Sequence, residues 1–325
     1  MFRKVRFGVT VGVFFAFWAS SALAAPGTMN PAGKIRGVVP AHGQASKLAR
    51  TSSNLSWHGG PVMHTNTVYA IYWLPDYPNT SYAGMPAAGP LSANYEPLIN
   101  RYFGDVAAGS RSTTNVYWSD TQYTDSTASA GYNSTFAGAI VDSNPFPANG
   151  CRDKYATVCL TDAQLQTEIQ KVVGTSYPTG ISTEYFLFTP RNVGSCFGSS
   201  CAFSYFCAYH SQIGSGGAGT ILYANMPYAA WVPSACGSGQ SPNADDADST
   251  INVTSHEHNE TITDPLGTAW YDRKGNEDGD KCAWNFGTPL GGTSGAEYNQ
   301  VIGGHDYYMQ QEWSNQSSGC VLQGL

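Results

Sequence analysis

Hydrophobic and polar positions alternate along this chain in short blocks, and each block carries a period that names an element. Val68-Tyr-Ala-Ile-Tyr-Trp73 is β-branched and aromatic, bounded by Gly59-Gly60-Pro61 and by Pro75, and predicts a buried strand. Asn94 to Val106 places Tyr95, Leu98, Ile99, Tyr102 and Phe103 at helical spacing and predicts a helix that stops near Gly104 or Gly109. Asn115-Val-Tyr-Trp118 and the Tyr123 region read as further strand. Residues 161–173 form an amphipathic helix with Thr161 or Asp162 as N-cap and Gly174 as its stop. Glu184-Tyr-Phe-Leu-Phe188 and Thr220-Ile-Leu-Tyr-Ala224 are again strands. Helix followed by strand, twice over, favours a mixed α/β (α+β) arrangement over an all-β sandwich.

No repeat divides residues 55–325, and no Pro- or Ser-rich linker does, so they are expected to form one compact domain. Residues 26–54 are rich in Ala, Gly, Ser and Pro without a hydrophobic period, and read as a flexible or propeptide-like lead-in. Before them, Arg3, Lys4 and Arg6 precede the apolar run Phe7 to Trp18 and then Ala22-Leu-Ala24. That pattern predicts a signal peptide over residues 1–25, too short to serve as a spanning helix.

Composition then narrows the function classes. The full chain has 16 Lys+Arg against 23 Asp+Glu, and removing the leader's three basic residues leaves a net charge of −10, a poor match to nucleic acid. No later stretch is long and apolar enough for a membrane. A secreted protein can oxidise its eight cysteines. Short spacings favour Cys151 with Cys159 and Cys196 with Cys201, leaving Cys207 with Cys236 and Cys282 with Cys320 to staple the C-terminal half. A zinc-thiolate cluster is disfavoured, because no pair has the two-residue separation of a zinc knuckle.

Candidate chemistry concentrates in Thr254-Ser255-His256-Glu257-His258-Asn259-Glu260, on a helix expected over 249–263, with Pro265 forcing Asp264 out of helical geometry. His256 and Glu260 lie four residues apart and share a face, as two ligands of one metal would. Glu257 turns toward the position of a metal-bound water, where it would act as general base. The motif is the zinc-protease His-Glu-x-x-His with Glu in place of the second His. The bland alternative is a polar surface helix. For the third ligand Asp264 and Asp280 rank equally. Asp264 lies about 12 Å along a straight helix from His256 and needs the break before Pro265 to reach back. Asp280 follows at a separation resembling that of thermolysin-type zinc proteases, although Gly275 and Gly279 argue against a helix there. His210 and Asp272 stay open. The acidic stretch 272–280 also resembles a Ca2+ loop, but its spacing departs from the EF-hand and an acidic turn is the preferred reading. Neither a Gly-x-Ser-x-Gly elbow nor a spare thiol supports a serine or cysteine hydrolase.

Several short motifs, in order, resemble the phosphate-induced, exordium-like secreted proteins: His58-Gly-Gly-Pro-Val62 before the strand 68–73, Phe188-Thr-Pro190, Cys207-Ala-Tyr-His210, Ala269-Trp-Tyr-Asp272, Gly279-Asp-Lys-Cys282 and Gln311-Glu-Trp313. The resemblance covers roughly residues 57–323 and implies an extracellular or wall-associated single domain without established catalysis. Two expectations follow: a zinc-dependent endopeptidase of zincin-like type acting on protein or peptide substrates, or a non-catalytic extracellular wall- or glycan-associated protein.

Overall fold

The computed structural model describes residues 37–45 and 53–323, so the expected signal peptide and most of the expected lead-in lie outside the described residues. Its centre is a six-stranded sheet. In chain order the strands and main helices are β1 (Val38–Pro40), β2 (Asn66–Trp73), α1 (Tyr95–Ala108), β3 (Ser134–Asp142), α2 (Asp162–Val173), β4 (Thr183–Phe188), β5 (Phe206–Ile213), β6 (Ile221–Met226), α3 (Ala247–Thr263) and α4 (Asp278–Cys282). Across the sheet the order is β1-β5-β6-β4-β2-β3. The run β6, β4, β2, β3 is parallel, whereas β5 runs antiparallel to β6 and β1 antiparallel to β5. The fold is therefore mixed α/β, with a parallel half and an antiparallel edge.

Strands β2, β4 and β6 are the apolar runs visible in the sequence, and nearly all their residues are buried, as strands covered on both faces must be. Helix α1 buries Tyr95, Ile99, Tyr102, Phe103 and Val106, the stripe its spacing predicts. Helix α2 opens with a capping box: the Thr161 side chain accepts from the Gln164 N–H while the Gln164 side chain accepts from the Thr161 N–H, and Gly174 ends the helix at φ 47°.

One expected strand is corrected. Val116–Gln122 is a 3-10 helix, because Asn115 accepts from the Tyr117 N–H and three side chains in the run bond carbonyls three residues back: Ser119 to Val116, Thr121 to Trp118 and Gln122 to Ser119. The Tyr123 region is likewise no strand, and contributes only an isolated bridge between Thr124 and Ser129.

All eight cysteines pair as the spacings suggest, Cys151–Cys159, Cys196–Cys201, Cys207–Cys236 and Cys282–Cys320. The sulfurs of Cys159 and Cys196 lie 3.6 Å apart, yet both belong to disulfides and so are not thiolate ligands. Among the described residues no helix is long and apolar enough to cross a membrane.

Candidate metal centre

Helix α3 has four apolar residues in seventeen, Ala247, Ile251, Val253 and Ile262, and still lies inside the molecule: every residue from Thr250 to Asp264 is buried. This corrects the surface-helix alternative. It begins two residues earlier than expected, after Asp246, because the Asp248 carboxylate accepts from Ser241 and Asn243 of the preceding loop instead of capping the helix. At its far end Asp264, at φ −147° ahead of Pro265, breaks the helix as expected.

Buried polar side chains need partners, and most of those on α3 have them. The Thr250 hydroxyl meets Tyr95 at 3.0 Å. His258 lies between the Tyr117 hydroxyl, 3.0 Å from Nδ1, and Asn66 Oδ1, 3.2 Å from Nε2. Thr261 donates to Glu184 Oε1 at 2.7 Å. Burial with no charged partner depresses the His258 imidazole to about 3, so this histidine is a neutral structural group.

The remaining face, His256, Glu257 and Glu260, looks toward His210 on β5 and toward Glu277 and Asp280 at the start of α4. His256 Nε2 lies 3.0 Å from Glu260 Oε1, yet neither ring nitrogen of His256 has a partner in hydrogen-bonding geometry. Such an approach suits two ligands sharing an ion better than a donor and acceptor. His256, Glu260 and Asp280 each bring one ligand atom within 4.8 Å of the others. His210, Glu257 and Glu260 form a second such group, with His210 Nδ1 at 3.2 Å from Glu257 Oε2 and 3.6 Å from Glu260 Oε2. On its other side His210 Nε2 is 3.4 Å from Glu277 Oε2, and both oxygens of that carboxylate lack a hydrogen-bond donor.

Electrostatics reinforces the geometry. Burial pushes Glu257 up to about 8, with His256 partly offsetting the rise. Burial, then the neighbouring acids, holds Glu260 and Glu277 well above the usual carboxylate range, and burial followed by Glu260 does the same to Asp280. Burial lowers His210 to about 4 against the pull of Asp264, leaving a neutral imidazole able to act as a ligand. A bound cation relieves each of these destabilised carboxylates at once, so the donor set of imidazole and carboxylate fits a divalent ion of the zinc type.

The two rivals for third ligand separate here. Asp280 stands in the group with His256 and Glu260, delivered by a one-turn helix in which Glu277 is the N-cap and the Asp280 carboxylate accepts from the Glu277 N–H at 3.1 Å. The Asp280 N–H lies 2.7 Å from Glu260 Oε1 as well. Gly279 makes this closeness feasible, because a Cβ there would sit 2.8 Å from His256 Cε1 and 2.9 Å from Glu260 Oε1. Asp264, in contrast, uses Oδ1 to accept from the Thr268 and Ala269 N–H groups, both at 2.6 Å, and stands in neither group of three. Asp272 shapes the acidic turn, accepting from the Lys274 and Asn276 N–H groups at 2.8 and 3.0 Å. Glu277 escaped sequence reasoning: within an acidic run, nothing local distinguishes a carboxylate that turns inward.

No family model, no curated protein and no solved structure matches this chain.

Proposed function

We propose that the chain is a secreted, zinc-dependent endopeptidase with a zincin-like centre, in which His256, Glu260 and Asp280 hold the metal and Glu257 is the general base. The observation that carries this reading is the convergence of His256, Glu260 and Asp280 on a wholly buried helix face, with Glu257 as the next residue round the helix. When bound, zinc supplies Lewis-acid polarisation of the scissile carbonyl. Burial alone raises Glu257, and a cation on the neighbouring ligands would draw it back to the ionised form that can accept a proton. It takes a proton from water at Oε2 as the water oxygen attacks the carbonyl carbon. The same proton then passes to the leaving amide nitrogen as the C–N bond breaks. His210 Nδ1, 3.2 Å from Oε2, orients that carboxylate. Four disulfides and the exordium-like motifs support an extracellular setting.

The test is metal content together with one conservative variant. Protein purified without added metal should carry one zinc per chain by elemental analysis. Glu257→Gln should keep zinc and fold while losing hydrolysis of an unfolded protein by at least about a hundredfold. Asp280→Asn should lose zinc. Absence of stoichiometric metal that added zinc cannot restore would refute the reading, whereas bound zinc without any cleavage would favour a non-catalytic extracellular protein.

A further inference from the structure

Strand β1 is a short edge strand, and it lies directly against the candidate base. It pairs with β5 in the register Val38↔Tyr209 and Val39↔Ala208, and the His210 N–H donates to the Gly37 carbonyl at 3.0 Å. The Val39 N–H donates to Glu257 Oε1 at 3.0 Å. Trp284 Nε1 donates to the Pro40 carbonyl at 2.7 Å, clamping the strand from the side of α4. Gly37, at φ 61°, lies so close to His210 that a Cβ there would clash with Cε1, Nδ1 and Nε2 of the imidazole. Past the strand, the Ala41 N–H donates to the Tyr205 carbonyl at 2.9 Å and the His42 ring stacks on Trp284 at 3.9 Å.

We infer that the outer edge of β5 is a docking site for an extended polypeptide, and that Gly37–Pro40 is its internal occupant, lying where a substrate strand lies and engaging the base Glu257. The inference rests on the peptidase reading and names the form of its substrate. A strand edge offers N–H and C=O groups to any backbone, so affinity comes from the ladder and is largely indifferent to side chains. Selectivity then falls on the few places where a side chain has no room. Here the occupant carries glycine against the His210 ring, followed by two buried valines. While β1 pairs along β5 the edge is filled and no second strand can lie there, so the occupied edge is the resting form. A substrate must displace β1 to reach the centre.

Two variants of the full, zinc-loaded chain test this. Val39→Pro removes the N–H given to Glu257, and Gly37→Ala drives a methyl into the His210 ring. Each is expected to raise hydrolysis of an unfolded protein about tenfold or more over the parent, at equal zinc content and with a cooperative melt. A fluorescent peptide copying residues 34–45 is then titrated into the Gly37→Ala chain and followed by anisotropy, a readout that needs no catalysis. It should bind, and a version with proline at the position of Val39 should bind about tenfold more weakly or worse. If the chain cleaves nothing but binds the peptide with that preference, the peptidase reading fails and the docking edge stands. Parent-level activity in both variants, together with no peptide binding, overturns the inference.

Discussion

Gly279→Ala is a sharp probe of the centre, because it adds one methyl group where the ligands crowd together. The new Cβ would stand 2.8 Å from His256 Cε1, 2.9 Å from His256 Cδ2 and 2.9 Å from Glu260 Oε1. Ordinary contacts between such atoms begin near 3.5 Å, so something must move by roughly 0.6 Å or more. The His256 ring and Glu260 are both fully buried and have no flexible end to swing aside. Overpacking of this kind costs about 1–3 kcal/mol, and a ligand constellation tolerates only about 0.5 Å of displacement. If that cost falls on the metal-bound state, zinc affinity drops by about 5- to 150-fold. Competition against a chromophoric chelator measures it, and melts of the metal-free proteins separate site strain from general destabilisation. Gly104→Ala in α1 is the matched control: a Cβ there meets nothing within 4 Å, and alanine should stabilise the helix by up to about 1 kcal/mol. Zinc affinity in Gly279→Ala within twofold of the parent would refute the placement of the metal between His256 and Glu260.

Two further outcomes test the scaffold. Burial pushes Asp142 up to about 6, and Glu168 beside it adds to the rise, so its charged form destabilises the fold above about pH 6 and its neutral form does not below the ordinary value of 3.8. Asp142→Asn should therefore melt higher than the parent at pH 8, with the gap closing toward pH 4; a gap independent of pH would contradict this. Replacing Cys282 and Cys320 together by serine opens a cross-link of sequence separation 38 and should cost about 3–4 kcal/mol in denaturant unfolding, while loss of less than about 1 kcal/mol would show that the staple adds little.

The parts of the fold that were legible in the sequence share one property: their signal is local. The apolar runs of β2, β4 and β6, the helical stripe of α1 and the Thr161/Gln164 cap of α2 each lie within a dozen residues. The residues 115–118 misled because a β-branched and aromatic run was read without the Ser119, Thr121 and Gln122 side chains that follow it, and these tighten the backbone into a 3-10 turn. Strand β5 gave no alternation, since seven of its eight residues are buried on one face or the other. The candidate centre divides in the same way. His256, Glu257 and Glu260 are visible as one helical motif, but His210 lies 47 residues from Glu257 and reaches it only through the antiparallel edge of the sheet. Asp280 could be ranked level with Asp264 and no higher, because the choice depends on which of the two the fold brings within ligand distance of His256 and Glu260.

Why a helix this polar occupies the interior follows from how its groups are partnered. Burying an apolar side chain contributes about 1.5–3 kcal/mol, whereas a buried hydrogen bond nets about 1 kcal/mol and a buried polar group without one costs about 1–3 kcal/mol. Helix α3 gives up most of the first kind, since apolar side chains are few along it. Its contacts through Thr250, His258 and Thr261 roughly offset their own desolvation and fix the helix against α1, the 3-10 helix and β4. Asn252 Nδ2, Thr254 Oγ1 and Asn259 Oδ1 also lack partners, but the face toward His210 and α4 gathers the ionisable ones: His256, one oxygen of Glu260 and both oxygens of Glu277 opposite. A neutral apolar face in that position would pack more favourably, so stability does not explain these residues. What they offer is a set of converging imidazole and carboxylate donors in a largely buried site, where a cation's field is less screened than in water. Asp280→Asn weakens one of these donors and Gly279→Ala pushes two others out of place, so both should register first as weakened zinc binding.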